Sequence, residues 1–132
     1  GSHMSSVTIG KCYIQNRENG GRAFYNLGRK DLGIFTGKMY DDQIWSFQKS
    51  DTPGYYTIGR ESKFLQYNGE QVIMSDIEQD TTLWSLEEVP EDKGFYRLLN
   101  KVHKAYLDYN GGDLVANKHQ TESEKWILFK AY

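Results

Sequence analysis

Apolar and polar residues alternate in short stretches along this chain, and clusters of Gly, Asn, Asp and Pro cut the stretches apart. A period of two places successive side chains on opposite faces of a strand, and no convincing segment carries the 3.6-residue stripe of a long helix. Three of these alternations resemble one another: Cys12-Tyr13-Ile14-Gln15-Asn16, Tyr56-Thr57-Ile58-Gly59-Arg60 and Tyr96-Arg97-Leu98-Leu99-Asn100. Tryptophans follow at 45, 84 and 126 in similar contexts, Gln43-Ile44-Trp45-Ser46-Phe47, Thr82-Leu83-Trp84-Ser85-Leu86 and Glu124-Lys125-Trp126-Ile127-Leu128. About twenty residues before each Trp stands Phe24, Phe64 or Tyr106, followed by Tyr25, Leu65 or Leu107, and nearer to the Trp stands Ile34, Ile73 or Val115. Landmarks recurring three times in one order mark an internal repeat.

The turn residues support that division. Thr52-Pro53-Gly54 and Val89-Pro90-Glu91-Asp92 follow the first two Trp strands and separate the repeats. Asn68-Gly69 and Asn110-Gly111-Gly112 hold equivalent places inside repeats and predict tight hairpins, because both central residues of that turn need positive φ. Asn19-Gly20-Gly21 marks a further turn. The polar stretch 75–81 is the least strand-like and predicts a short helical turn. Each repeat therefore holds four short strands, twelve in all. Four-stranded units of this length also build propeller blades, but a propeller closes with about four blades or more. Three copies predict an all-β fold, a β-trefoil of twelve short strands in three pseudo-threefold repeats. A two-layer sandwich offers similar strands without explaining the threefold.

Composition changes this picture little. The first four of the 132 residues, Gly-Ser-His-Met, read as an expression remnant, and residues 5–132 as one domain with repeats at about 7–52, 53–92 and 93–132. Sixteen basic against 18 acidic residues leave a net charge of −2, which argues against nucleic-acid binding, and no apolar run reaches the roughly 18 residues that would span a membrane. The one cysteine, Cys12, rules out an intrachain disulfide; it takes the place of Tyr56 and Tyr96 and reads as a buried filler. With no leader evident, cytoplasmic residence, or secretion without a classical signal, is expected. No hydrolase, metalloprotease, phosphate-loop or dinucleotide motif is present, so no catalytic residue, metal site or cofactor is assigned and the chain is not expected to be an enzyme. His103 and His119 read as ordinary surface histidines.

The opening pattern Tyr96-x-Leu98-x-Asn100, the step Leu107-Asp108 and the close Gln43-Ile44-Trp45 together resemble the ricin-B-type β-trefoil lectins. The resemblance covers essentially all of residues 7–132. It implies a carbohydrate-binding protein with one to three shallow sites at strand ends and hairpin loops, and glycans or glycoconjugates as partners. The disulfides of many such proteins are missing, as in the intracellular relatives. In repeat 1 it points to Asn26 at the Asp position, Phe35 as an aromatic plate, and Asp42 and Gln43 near the close. In repeat 3 it points to Asp108, Tyr109, Asn110, Asn117 and His119. Repeat 2 offers Gln66, Met74 and Thr82, the least sugar-like set. The chemistry suits a sugar: an aromatic ring covers the C–H face, and carboxylate or amide groups take neighbouring hydroxyls. Asp108 equally reads as a turn cap, Asn68 and Asn110 as turn residues, and Tyr67 and Tyr109 as packing over their turns. The three Trp and the Phe24, Phe64, Tyr106 set read as core. Single shallow sites bind weakly, so self-association, for example as a homodimer, is one expected source of avidity. The alternative is a protein-binding trefoil, such as a protease inhibitor or scaffold module, using 17–22 or 50–55 as a projecting loop. A heparin-binding trefoil lacks its basic cluster.

Overall fold

The computed structural model describes residues 10–131; residues 1–4, read from the sequence as an expression remnant, the expected start of the domain at 5 and of the first repeat at 7, and the last residue, 132, lie outside the described residues. Twelve strands follow in order: β1 (Gly10–Asn16), β2 (Arg22–Asn26), β3 (Asp31–Phe35), β4 (Trp45–Lys49), β5 (Tyr56–Arg60), β6 (Lys63–Tyr67), β7 (Val72–Ser75), β8 (Trp84–Glu88), β9 (Phe95–Asn100), β10 (Tyr106–Asn110), β11 (Asp113–Asn117) and β12 (Trp126–Lys130). The pairs β1–β4, β4–β5, β5–β8, β8–β9, β9–β12 and β12–β1 close a six-stranded antiparallel barrel. The hairpins β2–β3, β6–β7 and β10–β11 sit outside that ring and form its cap. The chain is a β-trefoil.

Alternation along the barrel strands sends Ile14, Ile58 and Leu98 inward, and all three are fully buried. The three tryptophans are buried as well, and each indole Nε1–H donates to a backbone oxygen of the hairpin above it: Trp45 to Ala23, Trp84 to Leu65 and Trp126 to Leu107, at 3.0 Å in every case. One ring thus fills the barrel and fixes a hairpin, which is why the residue recurs at this place. The last residue of each opening alternation ties its strand to the preceding repeat. Asn16 donates to the Ser123 carbonyl, Asn100 to that of Thr81, and Arg60 to those of Tyr25, Asp41 and Ile44. Arg60 therefore does in repeat 2 what Asn does in the other two.

Several details differ from the sequence reading. A 3₁₀ turn precedes every Trp strand, at Asp41–Gln43, Asp80–Thr82 and Glu122–Glu124, where the sequence pointed to one helical turn within 75–81. Phe24, Phe64 and Tyr106 are half-buried, and Ala23, Leu65 and Leu107 carry the core instead. The three aromatics are not equivalent either. Gln15, Gly59 and Leu99 pair with Arg22, Phe64 and Tyr106, which aligns Arg22 with the two aromatics and sets Phe24, not Asn26, in the place of Asp108. Repeat 1 carries three more residues between the indole's acceptor and its Trp than the other repeats, so counting back from Trp45 lands two residues late. By the same registers Ile34 matches Met74 and Ala116, and Phe35 matches Ser75 and Asn117.

Candidate functional site

The extra residues of repeat 1 surround a cleft. Phe24 on β2, Arg29 in the β2–β3 turn, Phe35 at the end of β3, and Tyr40, Asp42 and Gln43 around the first 3₁₀ turn line a hollow of about 90 Å³. Phe35 and Tyr40 are 41% and 52% exposed, far more than any core aromatic, with ring centroids 6.0 Å apart and planes tilted by 41°. Gly37 makes room for one of them: a Cβ there would stand 2.6 Å from the Phe35 ring, so the ring lies directly on the loop backbone.

The polar groups divide into free and committed ones. Gln43 is 1% exposed; its Oε1 accepts from Arg22 Nε at 2.7 Å and its Nε2 donates to the Lys38 carbonyl at 2.9 Å. Its amide supports the loop from below. Asn26 Oδ1 accepts from Arg29 N at 3.0 Å, while its Nδ2 reaches Asp42 Oδ2 at only 3.4 Å. That bond is long enough to be weak, which leaves the half-buried Asp42 carboxylate with acceptor capacity beside the two rings. The four residues that sequence singled out in repeat 1 are thus brought together. Phe24, Arg29 and Tyr40 were missed: Phe24 had been placed in the core, and the signal for Tyr40 was an aromatic just before an acidic turn.

Repeat 3 is arranged differently. Asp108 is 4% exposed; Oδ2 accepts from Asn117 Nδ2 and Oδ1 from the backbone N–H of Tyr109, both at 2.7 Å. Asn117 Oδ1 in turn accepts from His119 N at 3.2 Å. Asp108, Asn117 and His119 are therefore linked, with His119 exposed at the end of the chain of bonds. Tyr109 leaves β10 on the opposite face from Asp108, and its hydroxyl donates to Glu18 Oε1 at 2.6 Å, which pushes the phenol up to about 12. Asn110 is exposed at the hairpin turn, paired with Asp113. In repeat 2 the equivalent of Asp108 is Gln66, whose amide donates to Thr81 Oγ1 at 2.7 Å.

Glu124 replaces the Gln of repeat 1 and lies fully buried. Its two oxygens accept from the N–H groups of His119 and Thr121 at 3.1 and 3.2 Å, and the Arg97 Nε stands 3.8 Å away. Burial, and then the negative charge of Asp108, raise its pKa above the ordinary 4.5, with the backbone N–H donors pulling it partly back. A raised carboxyl pKa means that the folded state holds the proton more tightly than the unfolded one. Its contribution to stability therefore improves as pH falls through the folded pKa and levels off below the unfolded value. Melting temperatures measured from pH 7 to pH 4 are expected to rise in the wild type relative to Glu124→Gln, which has no carboxyl there to titrate; parallel curves would contradict this.

No protein-family model matches the chain. Among solved structures, the designed threefold-symmetric protein ThreeFoil is similar over 92% of this chain and 99% of its own, with a TM-score of 0.78 and 17% identity. The BEL β-trefoil matches 90% of this chain and 91% of its own, with a TM-score of 0.79 and 12% identity. A lectin of Polyporus squamosus, solved bound to a human-type influenza-binding epitope, matches 91% of this chain with a TM-score of 0.73 and 16% identity; this chain spans 48% of its length. At such identities the likeness establishes the fold, and function rests on the site.

Proposed function

We propose that this protein is a carbohydrate-binding protein of the ricin-B type and that its working site is the repeat 1 cleft. The observation that carries the reading is the pair of half-exposed rings, Phe35 and Tyr40, set beside the Asp42 carboxylate. The rings offer dispersion and a π-face to the C–H side of a pyranose, and the carboxylate accepts from two adjacent hydroxyls. Asn26 and Arg29 stand at the rim for further hydroxyl contacts. The Polyporus squamosus lectin supports the assignment by showing a glycan bound to a protein that contains this fold. In repeats 2 and 3 Ser75 and Asn117 take the place of Phe35, so neither has its aromatic plate. One shallow cleft per chain holds a monosaccharide at about millimolar strength, and tighter attachment to glycoconjugates comes from self-association.

The test is a glycan array followed by titration of the best hit. Phe35→Ala is expected to weaken binding by about tenfold while moving Tm little, because the ring is already 41% exposed. Asp108→Ala is the contrast: it leaves the cleft intact, binds as the wild type does, and loses about 1–3 kcal/mol of stability through the orphaned Asn117 amide. A folded wild type silent across all glycan classes at millimolar-sensitive conditions would sink the reading.

A further inference from the structure

We propose that Arg22 is a positioning residue whose guanidinium pre-organises the sugar cleft of repeat 1; this rests on the reading of that cleft given above. Arg22 is 7% exposed on β2, at the place held by Phe64 and Tyr106 in the other repeats. A trefoil hairpin therefore needs no cation here. Burying one is costly unless its donors are met, and none of its hydrogen-bond acceptors is a carboxylate: Gln43 Oε1 at 2.7 Å, Gln15 Oε1 and the Gly20 carbonyl at 3.3 Å, and the Gly37 carbonyl.

What the arrangement gains is visible one bond further out. Gln43, held by Arg22, donates to the carbonyl of Lys38, while Arg22 itself takes that of Gly37. Two consecutive carbonyls in the middle of segment 36–40 are thus held from beneath by one buried pair of side chains. This segment carries Tyr40, and Phe35 lies against its Gly37. It is also one residue longer than its counterparts, since Ile34 to Gln43 spans one step more than Met74 to Thr82 or Ala116 to Glu124. The added residue that pushes the aromatic wall outward also gives the loop slack, and the Arg22–Gln43 pair removes it. Holding both rings before a sugar arrives spares the ordering cost that otherwise subtracts from affinity. A planar guanidinium makes these bonds in several directions at once, which an ammonium does not.

The experiment compares wild type, Arg22→Tyr and Gln43→Thr. Each variant installs the residue that another repeat carries at that position, Tyr106 or Thr82, so both are expected to fold. Backbone ¹⁵N order parameters report segment 36–40 without any ligand. Wild type is expected near 0.85 through the segment, and both variants below about 0.6 there with the barrel strands unchanged. Chemical-shift titration with the methyl glycosides of galactose, glucose, mannose and N-acetylglucosamine is expected to show about tenfold weaker binding in both variants. Unchanged order parameters at 36–40, or a loss of order spread equally over the barrel, would overturn the inference. If no glycoside moves the Phe35 or Tyr40 resonances of the wild type, the sugar reading falls at that cleft, and the order parameters alone still decide whether Arg22 holds the loop.

Discussion

Trp84→Ala is expected to lower the stability of the protein by about 4 kcal/mol, in the range measured when large aromatics are truncated in cores. The indole is fully buried, and its neighbours belong to the barrel and to the hairpin β6–β7 at once, since Nε1–H is bound to the Leu65 carbonyl at 3.0 Å. Removing it opens a cavity that the closed ring of strands cannot collapse into without breaking pairs. A domain of this size has about 5–15 kcal/mol in total, so the melting temperature should fall by roughly 10–20 °C. Trp84→Phe separates the two contributions: most of the volume stays, the indole hydrogen bond goes, and a loss of about 1–2 kcal/mol is expected. Because Trp45 and Trp126 make the same bond at the same length, each should behave as Trp84 does within about 1 kcal/mol. Thermal or denaturant melts of the three alanine variants check this, and a near-neutral Trp84→Ala would mean that the threefold core is not the source of stability.

The threefold was legible in the sequence because its causes are local. A Trp that fills the barrel and binds a hairpin carbonyl must recur once per repeat, and glycines stand where Gly69 and Gly111 adopt positive φ, although Asn68 and Asn110 before them do not, contrary to the expectation that both residues would. Cys12 was legible as a filler for a similar reason: it pairs with Trp45 inside the barrel, where burial pushes its thiol up to about 12. The register of repeat 1 was not legible. Three extra residues, two in the β2–β3 hairpin and one before the 3₁₀ turn, are invisible to counting back from Trp45, and they moved Asn26 into the place that belongs to Phe24. Yet Asn26, Phe35, Asp42 and Gln43 were still brought to one place, because Asn26 flanks the first of these insertions and the other three flank the second, and the two face one cleft. Arg22 was missed entirely. Nothing in a lone arginine between Gly21 and Ala23 tells that it will be buried beneath a loop fifteen residues on.

Segments 17–22 and 50–55, read from the sequence as candidate projecting loops, are both internally bonded, and Asp51, Pro53 and Gly54 of the second are exposed. Arg17 is ion-paired to Asp92 at 3.0 Å and lies over the Phe95 ring, and Ser50 closes a tight turn on Tyr55. Asp92 also faces the buried Lys125, together with Glu91 and Glu122. The acidic run 91–92 therefore belongs to a cross-repeat ion-pair network. Of the six exposed large apolar side chains among the described residues, Leu27, Phe35, Met39 and Tyr40 lie in repeat 1, where the hydrogen bonds of Arg22 and Gln43 run beneath the segment that carries Tyr40.

The second large effect is expected at a contact between repeats. Gly33→Ala should cost about 3 kcal/mol, although replacing Gly by Ala where φ is ordinary usually stabilises by a few tenths to 1 kcal/mol. Gly33 has no positive φ, so alanine meets no backbone objection. The obstacle is steric: a Cβ at 33 would stand well inside contact with the Gly112 carbonyl oxygen and within 3.1 Å of the Phe24 ring. That carbonyl also accepts from Ile34 N at 3.0 Å, the bond that joins the cap hairpins of repeats 1 and 3. The nearer obstacle, the Gly112 carbonyl, is backbone and cannot move aside as a side chain would. Gly112→Ala is the control, because a Cβ there meets nothing within 4 Å and should leave stability unchanged or slightly raised. The same pair of variants links the cap to the cleft. Phe24 lines the cleft, so Gly33→Ala should weaken sugar binding as well as lower Tm, whereas Gly112→Ala should alter neither by much. Melts and glycoside titrations of both decide it: equal stability of the two variants would show that the hairpins are free to separate and that their backbone contact does not hold the cap together.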